Sequence, residues 1–189
     1  MVMRKVTVCL LAVLGICGVA LSAEVPRKAP EFEIHMVDGT NVPVSQFRDK
    51  VCALVFISTT CPHCQHYVQI LNAIQKEYGP RGVQVLAAAF NEGARALLPS
   101  FIQQFQPAFP LGWSDHITVT GFLQISIMNP GFVPKLVLID RGGTIRKQVE
   151  GQDDFFRDPE KNTRLALDEM LKAPMARKAG IRTAAKQRN

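Results

Sequence analysis

Cysteine is scarce in this sequence, and only one close pair of cysteines occurs. Of the five cysteines, Cys9 and Cys17 lie in an N-terminal apolar run. Cys52 lies inside a later apolar segment, where we interpret it as a small buried hydrophobic residue. The remaining two, Cys61 and Cys64, form a single pair. This count excludes the multi-disulfide framework of small secreted domains and favours a redox motif.

Acidic residues are absent from both ends of the chain, and the basic character of the protein comes from those ends. The formal net charge is +6, with seven of the 22 Lys and Arg residues in segments 1–23 and 174–189. Segment 24–173 holds the other 15 basic residues and all 16 acidic residues. The near-neutral body gives no support to nucleic-acid binding. An apolar content of 47% predicts one folded domain over 24–173.

The N-terminal segment 1–23 lacks an apolar run of the usual membrane-spanning length. Arg4 and Lys5 precede the 16-residue uncharged run Val6–Leu21, whereas a spanning helix needs ~20 apolar residues. Small residues follow up to Ala23. We predict a signal peptide here, with an uncleaved N-terminal membrane anchor as the alternative. In both cases the domain is expected to be periplasmic or otherwise extracytoplasmic, where disulfide chemistry can be sustained.

The C-terminal segment 174–189 lacks a core-forming pattern. It contains Gly, Ala and five basic residues and no acid. We predict a flexible basic tail, with weak attraction to an anionic membrane surface as the alternative.

Charge is absent from Val51–Ser58, which predicts a strand buried on both faces of a sheet. The tetrapeptide Cys61-Pro62-His63-Cys64 follows, and apolar positions then recur at helical spacing as far as Tyr78. Pro62 suits the first residue of a helix. The pattern therefore places Cys61 at or next to the N-cap and Cys64 one turn later, on the apolar face.

The predicted helix start gives the cysteine pair its chemistry. The free N–H groups there carry partial positive charge, and protonated His63 would add another. We therefore predict that the Cys61 thiol ionises more readily than a free thiol. A thiolate is the nucleophile of disulfide exchange, and the more buried Cys64 is the natural resolving thiol. A metal site formed by the two cysteines, His63 and His66 is the alternative.

The remaining segments alternate between strand and helix patterns. Thr118–Met128 is ambiguous and is read as a short helix, after a loop at Trp113–His116. Strands are predicted at Phe32–Val37, Val83–Phe90, Leu136–Asp140 and Ile145–Val149, and further helices at Ala94–Phe105 and Pro159–Lys172. The order predicts an α/β layout with a parallel strand–helix–strand unit and a late antiparallel hairpin.

Several motifs occur in an order that resembles the TlpA/ResA-like thiol–disulfide oxidoreductases, which are related to the AhpC/TSA and redoxin proteins. The matching stretches are Ala29–Phe32, Val44–Val51, Cys61–Cys64, Val133-Pro134 and Ile139–Ile145. The resemblance implies a thioredoxin-like fold, in which helices flank a central mixed β-sheet, with an N-terminal β extension and a central insertion. It also implies a redox-active Cys61–Cys64 disulfide, with no other cofactor and no metal.

The same resemblance implies how substrates bind and which partners take part. Catalysis would involve Cys61, Cys64, His63 and Pro62. Pro134 would be cis, and the backbone of Val133 would pair with a client peptide. The partners would be protein thiols or disulfides and a membrane redox protein of the DsbD/CcdA or DsbB type, with membrane association through the N-terminus. Cytochrome c maturation and periplasmic disulfide reduction or formation are the expected processes.

Three departures from the family pattern concern the active site. Thr60 stands where many relatives have Trp. The first acid after the central strand is Glu77, so the sequence identifies no acceptor for the proton of Cys64. The Cys-Pro-His-Cys sequence and Val133 resemble DsbA-type oxidants more than thioredoxin-type reductases. The direction of electron flow is therefore left open.

Three other functions remain alternatives. A copper-handling protein of this fold would use Cys-x-x-x-Cys and a distant His, and His116, which we interpret as an exposed loop residue, is the only distant candidate. A peroxidase would need Pro-x-x-x-Thr-x-x-Cys before Cys61, but Leu54 and Ser58 occupy the first two places. A non-catalytic binding module is disfavoured by the intact cysteine pair.

Overall fold

The computed structural model describes residues 23–173, which form eight strands and four α-helices. The strands are β1 (Arg27–Lys28), β2 (Glu33–His35), β3 (Asn41–Pro43), β4 (Val51–Ile57), β5 (Val83–Ala89), β6 (Leu111–Trp113), β7 (Lys135–Ile139) and β8 (Thr144–Val149). The helices are α1 (Pro62–Tyr78), α2 (Ala94–Phe105), α3 (His116–Leu123) and α4 (Pro159–Lys172). The predicted tail at 174–189, and the predicted leader except for Ala23, lie outside the described residues.

All eight strands belong to one mixed sheet in the order β1-β8-β7-β4-β5-β6-β2-β3. The β4–β5 and β5–β6 pairs are parallel, whereas β7 pairs antiparallel with both β4 and β8. Helices α1, α2 and α4 pack on one face of the sheet, and α3 packs on the other. The predicted parallel unit, the late hairpin and the mixed sheet flanked by helices are confirmed.

Strand β4 lies near the centre of the sheet because every residue in it is apolar. All seven of its residues are buried. The odd-numbered residues from Val51 to Ile57 pack with α1, and the even-numbered ones from Cys52 to Phe56 pack in the core that contains α3. The strand therefore joins two hydrophobic cores, as its uncharged sequence predicts.

Helix α1 follows the predicted apolar stripe. It begins at Pro62, has Cys61 as its N-cap and ends at Tyr78, one residue before Gly79. Its buried residues are spaced by one to four positions along one face: Cys64, Tyr67, Val68, Leu71, Ile74 and Tyr78. Burial of this stripe against β4 and β5 fixes the direction of the helix, and so the place where its first residues lie.

The segment before α3 differs from the prediction. Trp113 ends β6 and His116 is the first residue of α3, so the predicted loop at Trp113–His116 is wrong at both ends. The carboxylate of Asp115 accepts a hydrogen bond from the Thr118 N–H at 2.8 Å and caps α3 at that point. The helix ends at Leu123, well before the predicted limit of the ambiguous segment.

The sequence does not predict β1, β3 and β6. Each has two or three residues, which is too short to show an alternating pattern. They form because neighbouring strands offer backbone partners, as in the pairing of Arg27 with Ile145 and of Ala88 with Gly112. Within residues 23–173, no helix combines the length and apolar character needed to cross a bilayer.

Candidate active site

Cys61 lies in the short connection between the end of β4 and the start of α1. Its backbone is extended, with φ −87° and ψ 118°, and it is the N-cap residue of the helix. The N–H of Cys64 donates to the Cys61 sulfur at 3.4 Å between N and Sγ. Cys61 is partly exposed. Cys61 therefore lies, partly exposed, at the end of the helix where partial positive charge accumulates, as the sequence predicts.

Cys64 lies one turn further along α1, and its environment is different. The residue is fully buried. Burial raises the pKa of the Cys64 thiol well above its usual range, and the neighbouring Cys61 raises this pKa further, while a hydrogen bond with the Ser58 backbone acts in the opposite direction. The Cys64 thiol thus stays protonated and shielded, whereas Cys61 is partly exposed.

The Val133–Pro134 loop faces the same sulfur. The peptide bond between Val133 and Pro134 is cis, as the resemblance implies. The Cys61 thiol donates to the carbonyl of Val133 at 3.9 Å between Sγ and O. The fold therefore brings together two predicted groups of residues that are 72 positions apart in the chain.

A cleft of ≈ 550 Å³ runs between the start of α1 and the Val133–Pro134 loop. His63 lines it and is exposed, as is Pro62 at the helix start. The predicted effect of His63 on the Cys61 thiol stays a prediction. The cleft is lined by His63, His66, Tyr67, Phe132, Val133, Pro134, Gly151, Gln152, Asp153, Asp154, Phe156, Arg157 and Pro159.

One wall of this cleft has no signal in the sequence. It consists of the segment that follows β8, with Phe156 stacked edge-on against Tyr67 of α1 at 5.4 Å between ring centroids. Phe132, on the loop before the cis proline, is 65% exposed at the rim. Exposed aromatic residues next to a reactive group are a usable signal, but the sequence alone does not show that Phe132 is exposed.

A hydrogen-bonded bracket holds the loop that precedes Cys61. The side chain of Asn91 accepts from the Thr59 N–H at 2.9 Å and donates to the Thr59 hydroxyl at 3.1 Å. Gln65 of α1 donates to the Thr59 carbonyl at 2.9 Å. The sequence does not predict the role of Asn91, because no local pattern links this residue to a loop 32 residues earlier.

Neither the metal site at the cysteine pair nor the copper-handling alternative with His116 corresponds to an assembled group of ligands among the described residues. His116 lies on α3, where its Nε2 is 3.1 Å from the carbonyl oxygen of Ile127 and its ring stacks on Phe90. The prediction that it lies in a loop is wrong. In the described part of the chain, no three His, Cys, Asp or Glu side chains are grouped so as to hold a metal ion.

Comparison with known proteins agrees with this geometry. The AhpC/TSA family model matches residues 25–148. The thiol–disulfide oxidoreductase ResA of Geobacillus thermodenitrificans is 26% identical over 160 residues, covering 80% of this chain and 87% of the relative. ResA of Bacillus thuringiensis subsp. konkukian is 24% identical over 152 residues, covering 79% and 78%.

Solved structures show the same fold. A thioredoxin-family thiol:disulfide interchange protein from Chlorobium tepidum has a TM-score of 0.62 at 21% identity, covering 77% of this chain and 99% of that one. The thioredoxin domain of a thiol–disulfide oxidoreductase from Bacteroides vulgatus has a TM-score of 0.59 at 20% identity, covering 74% and 98%. Because the family model matches more than half of the sequence, the chain belongs to the AhpC/TSA family, as a ResA-like protein with the thioredoxin fold.

Proposed function

We propose that this protein is a thiol–disulfide oxidoreductase that acts on other proteins outside the cytoplasm through Cys61 and Cys64. The observation that carries the proposal is the contrast within the pair. Cys61 is partly exposed at the start of α1, and Cys64 is buried one turn later with a raised pKa. A two-step exchange requires this arrangement. One thiol must be accessible to form the mixed disulfide with the client, and the other must stay protonated until it attacks that disulfide.

The exchange proceeds through a mixed disulfide. In the reducing direction, the Cys61 thiolate attacks a client disulfide, forms an S–S bond to one client sulfur and releases the other as a thiolate. Cys64 then gives up its proton to solvent or to the departing thiolate and attacks the Cys61 sulfur. The second client sulfur leaves, and Cys61 and Cys64 are joined. Two electrons pass from the protein to the client, and the oxidising direction is the same sequence reversed.

The cleft beside Cys61 suits an extended polypeptide client. Val133 presents its carbonyl at the reactive sulfur, and Phe132 adds an exposed aromatic side chain at the rim. A client strand would pair with the Val133 backbone and place its own sulfur next to Cys61. His63 on the opposite wall would stabilise the Cys61 thiolate when protonated.

The predicted leader supports the proposed location outside the cytoplasm. A signal peptide or N-terminal anchor at 1–23 would deliver the domain to the periplasm or its equivalent, where client disulfides persist. A membrane redox partner of the DsbD/CcdA or DsbB type would then reset the pair. Cytochrome c maturation or periplasmic disulfide reduction or formation is the proposed process. The reduction potential decides the direction, and a value near the ~−270 mV of thioredoxin would identify a reductant.

Insulin reduction tests the reducing direction and hirudin oxidation tests the oxidising direction, each with the protein without its predicted leader. We expect the wild-type protein to catalyse one of the two reactions and Cys61→Ser to lose that activity. Cys52→Ser is the matched control, because Cys52 is a thiol buried in β4 away from the cleft, and it should retain the wild-type rate. Equal rates in wild type and Cys61→Ser would instead indicate a binding module. The Cys64→Ser variant should trap clients on Cys61, and mass spectrometry of the adducts would identify them.

A further inference from the structure

A fully buried lysine directly follows the cis proline of the active site. The Lys135 side chain is 0% exposed, and it is paired with the carboxylate of Glu150, which is 37% exposed. Lysine is almost never fully buried unless it is paired, since removing its ammonium group from water is costly. The pair is also asymmetric, because the carboxylate can be hydrated and the ammonium group cannot.

The pair contacts the loop that carries Val133. Gly131 lies over it with φ +70°, and a Cβ built there would be 3.3 Å from Lys135 Nζ and 3.7 Å from Glu150 Oε2. The residue after Glu150 is Gly151, whose N–H donates to the Phe132 carbonyl at 3.3 Å. A Cβ on Gly151 would lie only 2.6 Å from that carbonyl oxygen. The ion pair therefore lies close to Gly131, and the residue after Glu150 is hydrogen-bonded to Phe132 in the same loop.

Groups outside the active site orient the carboxylate of this pair. Gln148 donates to Glu150 Oε1 at 3.4 Å and to the carbonyl of Leu123 at 2.9 Å. Arg27 of β1 donates to the Gln148 side chain at 2.9 Å. The ion pair is thus connected to the C-terminal end of α3, which packs on the sheet, and to the edge strand β1.

Lys135 lies on the opposite face of the sheet from the resolving thiol. Lys135 is paired with Phe56 across β4 and β7, so the two side chains share a face, and Phe56 packs on the α3 side. Leu136, the next residue, packs on the α1 side together with Cys64. This placement points to an effect on loop geometry rather than to proton transfer with Cys64.

We propose that the Lys135–Glu150 pair is a positioning device that holds the Val133 carbonyl opposite Cys61, so that a client backbone is bound in register with the reactive sulfur. The inference rests on the proposed function and adds two residues to it. Lys135 and Glu150 touch neither the client nor the reacting sulfurs. They act through the 131–134 loop, so their loss should weaken exchange with peptide disulfides and leave exchange with small disulfides unchanged.

The test compares two disulfides with the reduced protein. One is a peptide with an internal disulfide, which can pair with Val133, and the other is the small aromatic disulfide DTNB, which has no peptide backbone. For Glu150→Gln we expect kcat/KM for the peptide to fall by about tenfold or more, mainly through a higher KM. The reason is that a small displacement of the Val133 carbonyl would weaken its pairing with the peptide backbone. The rate with DTNB should stay within about twofold of wild type.

Two further variants distinguish positioning from general damage. Lys135→Met combined with Glu150→Gln should recover part of the peptide rate, because it removes the unpaired buried charge. Arg146→Gln is the matched control, since it breaks the Arg146–Asp140 pair near the turn of the same hairpin, and it should leave both rates unchanged. Near-UV circular dichroism reports whether each variant is folded.

The outcomes separate the two proposals. A fall with the peptide alone supports the positioning role. Equal falls with peptide and DTNB, or no fall in folded Glu150→Gln, would overturn it. Absence of turnover with both disulfides in the wild-type protein would instead refute the proposed function, whatever the variants do.

Discussion

Strand β4 and the connection that follows it are adjacent in sequence, but each places a cysteine in a different environment. In β4 the Cys52 thiol is enclosed by the core, and burial raises its pKa to about 12. Nine residues later, Cys61 is partly exposed at the start of a helix. The residue type is the same, so the difference comes from the point at which the chain leaves the sheet. The exposure of a thiol in this fold is therefore set by its position relative to the sheet. We expect its reactivity to follow its exposure.

The largest expected effect comes from exchanging the two thiols for serine in turn. Cys61→Ser should lower the rate of disulfide exchange by about a thousandfold or more, because the nucleophile is lost. Cys52→Ser should change it by less than about twofold. Insulin reduction or hirudin oxidation, according to which of the two the wild-type protein catalyses, measures the rate in both variants. A comparable loss in folded Cys52→Ser would show that the enclosed thiol takes part in exchange.

The second prediction concerns Cys64, which belongs to the same helix as Cys61 but has a buried environment like that of Cys52. Cys64→Ser should abolish multiple turnover while the first attack by Cys61 continues, because the resolving thiol is lost. Alkylation by iodoacetamide measures the reactivity of Cys61, and non-reducing electrophoresis measures the trapped adducts. A variant that neither alkylates nor forms adducts would show that Cys64 is needed for the first step as well.

The third prediction is a pH dependence of stability in the reduced protein. The pKa values of Cys52 and Cys64 are both raised by burial, whereas unfolded thiols ionise near pH ~8.5. Above that pH the unfolded chain loses protons that the folded chain keeps. The free energy of unfolding is therefore fully retained below pH ~8.5 and falls above it, by up to ~1.4 kcal/mol per pH unit for each thiol.

Urea unfolding in the presence of a reductant measures this fall between about pH 7.5 and about pH 9.5, below the range in which tyrosine ionises. Cys52→Ala should show about half the wild-type slope, since one of the two enclosed thiols is gone. Equal slopes in the two proteins would mean that the Cys52 thiol does not resist ionisation in the folded state.

The smallest expected effect comes from removing the hydrogen bonds that hold the loop before Cys61, with all thiols unchanged. Asn91→Ala removes the bracket on Thr59 and should cost ~1 kcal/mol of stability, with a fall of a few-fold in the exchange rate. Asn72→Ala is the matched control, because its side chain makes a similar bracket to Phe105 and Ala108 away from the cleft. It should cost the same stability and leave the rate unchanged. Equal rates in the two variants would show that the bracket does not position Cys61.

Much of the central part of the fold is readable from local patterns. The uncharged run of β4, the stripe of α1 and the late hairpin of β7 and β8 each contain their own signal, and the structure confirms all three. The start of α3 is missed because Asp115 caps it, and a lone Asp before a mixed apolar segment predicts a loop as readily as a helix. The short edge strands have no pattern of their own.

The sequence by itself determined the cysteine pair, its place at the start of a helix and the burial of the strand before it. Those features depend on residues within one or two turns of each other. The tertiary structure alone decided that Val133 lies against Cys61, that Asn91 supports Thr59 and that Lys135 is buried with Glu150. Such contacts join residues that are neighbours only because β7 lies beside β4 and β8 beside β7 in the sheet, or because β5 runs parallel to β4. A local sequence pattern cannot predict the order of the strands in the sheet.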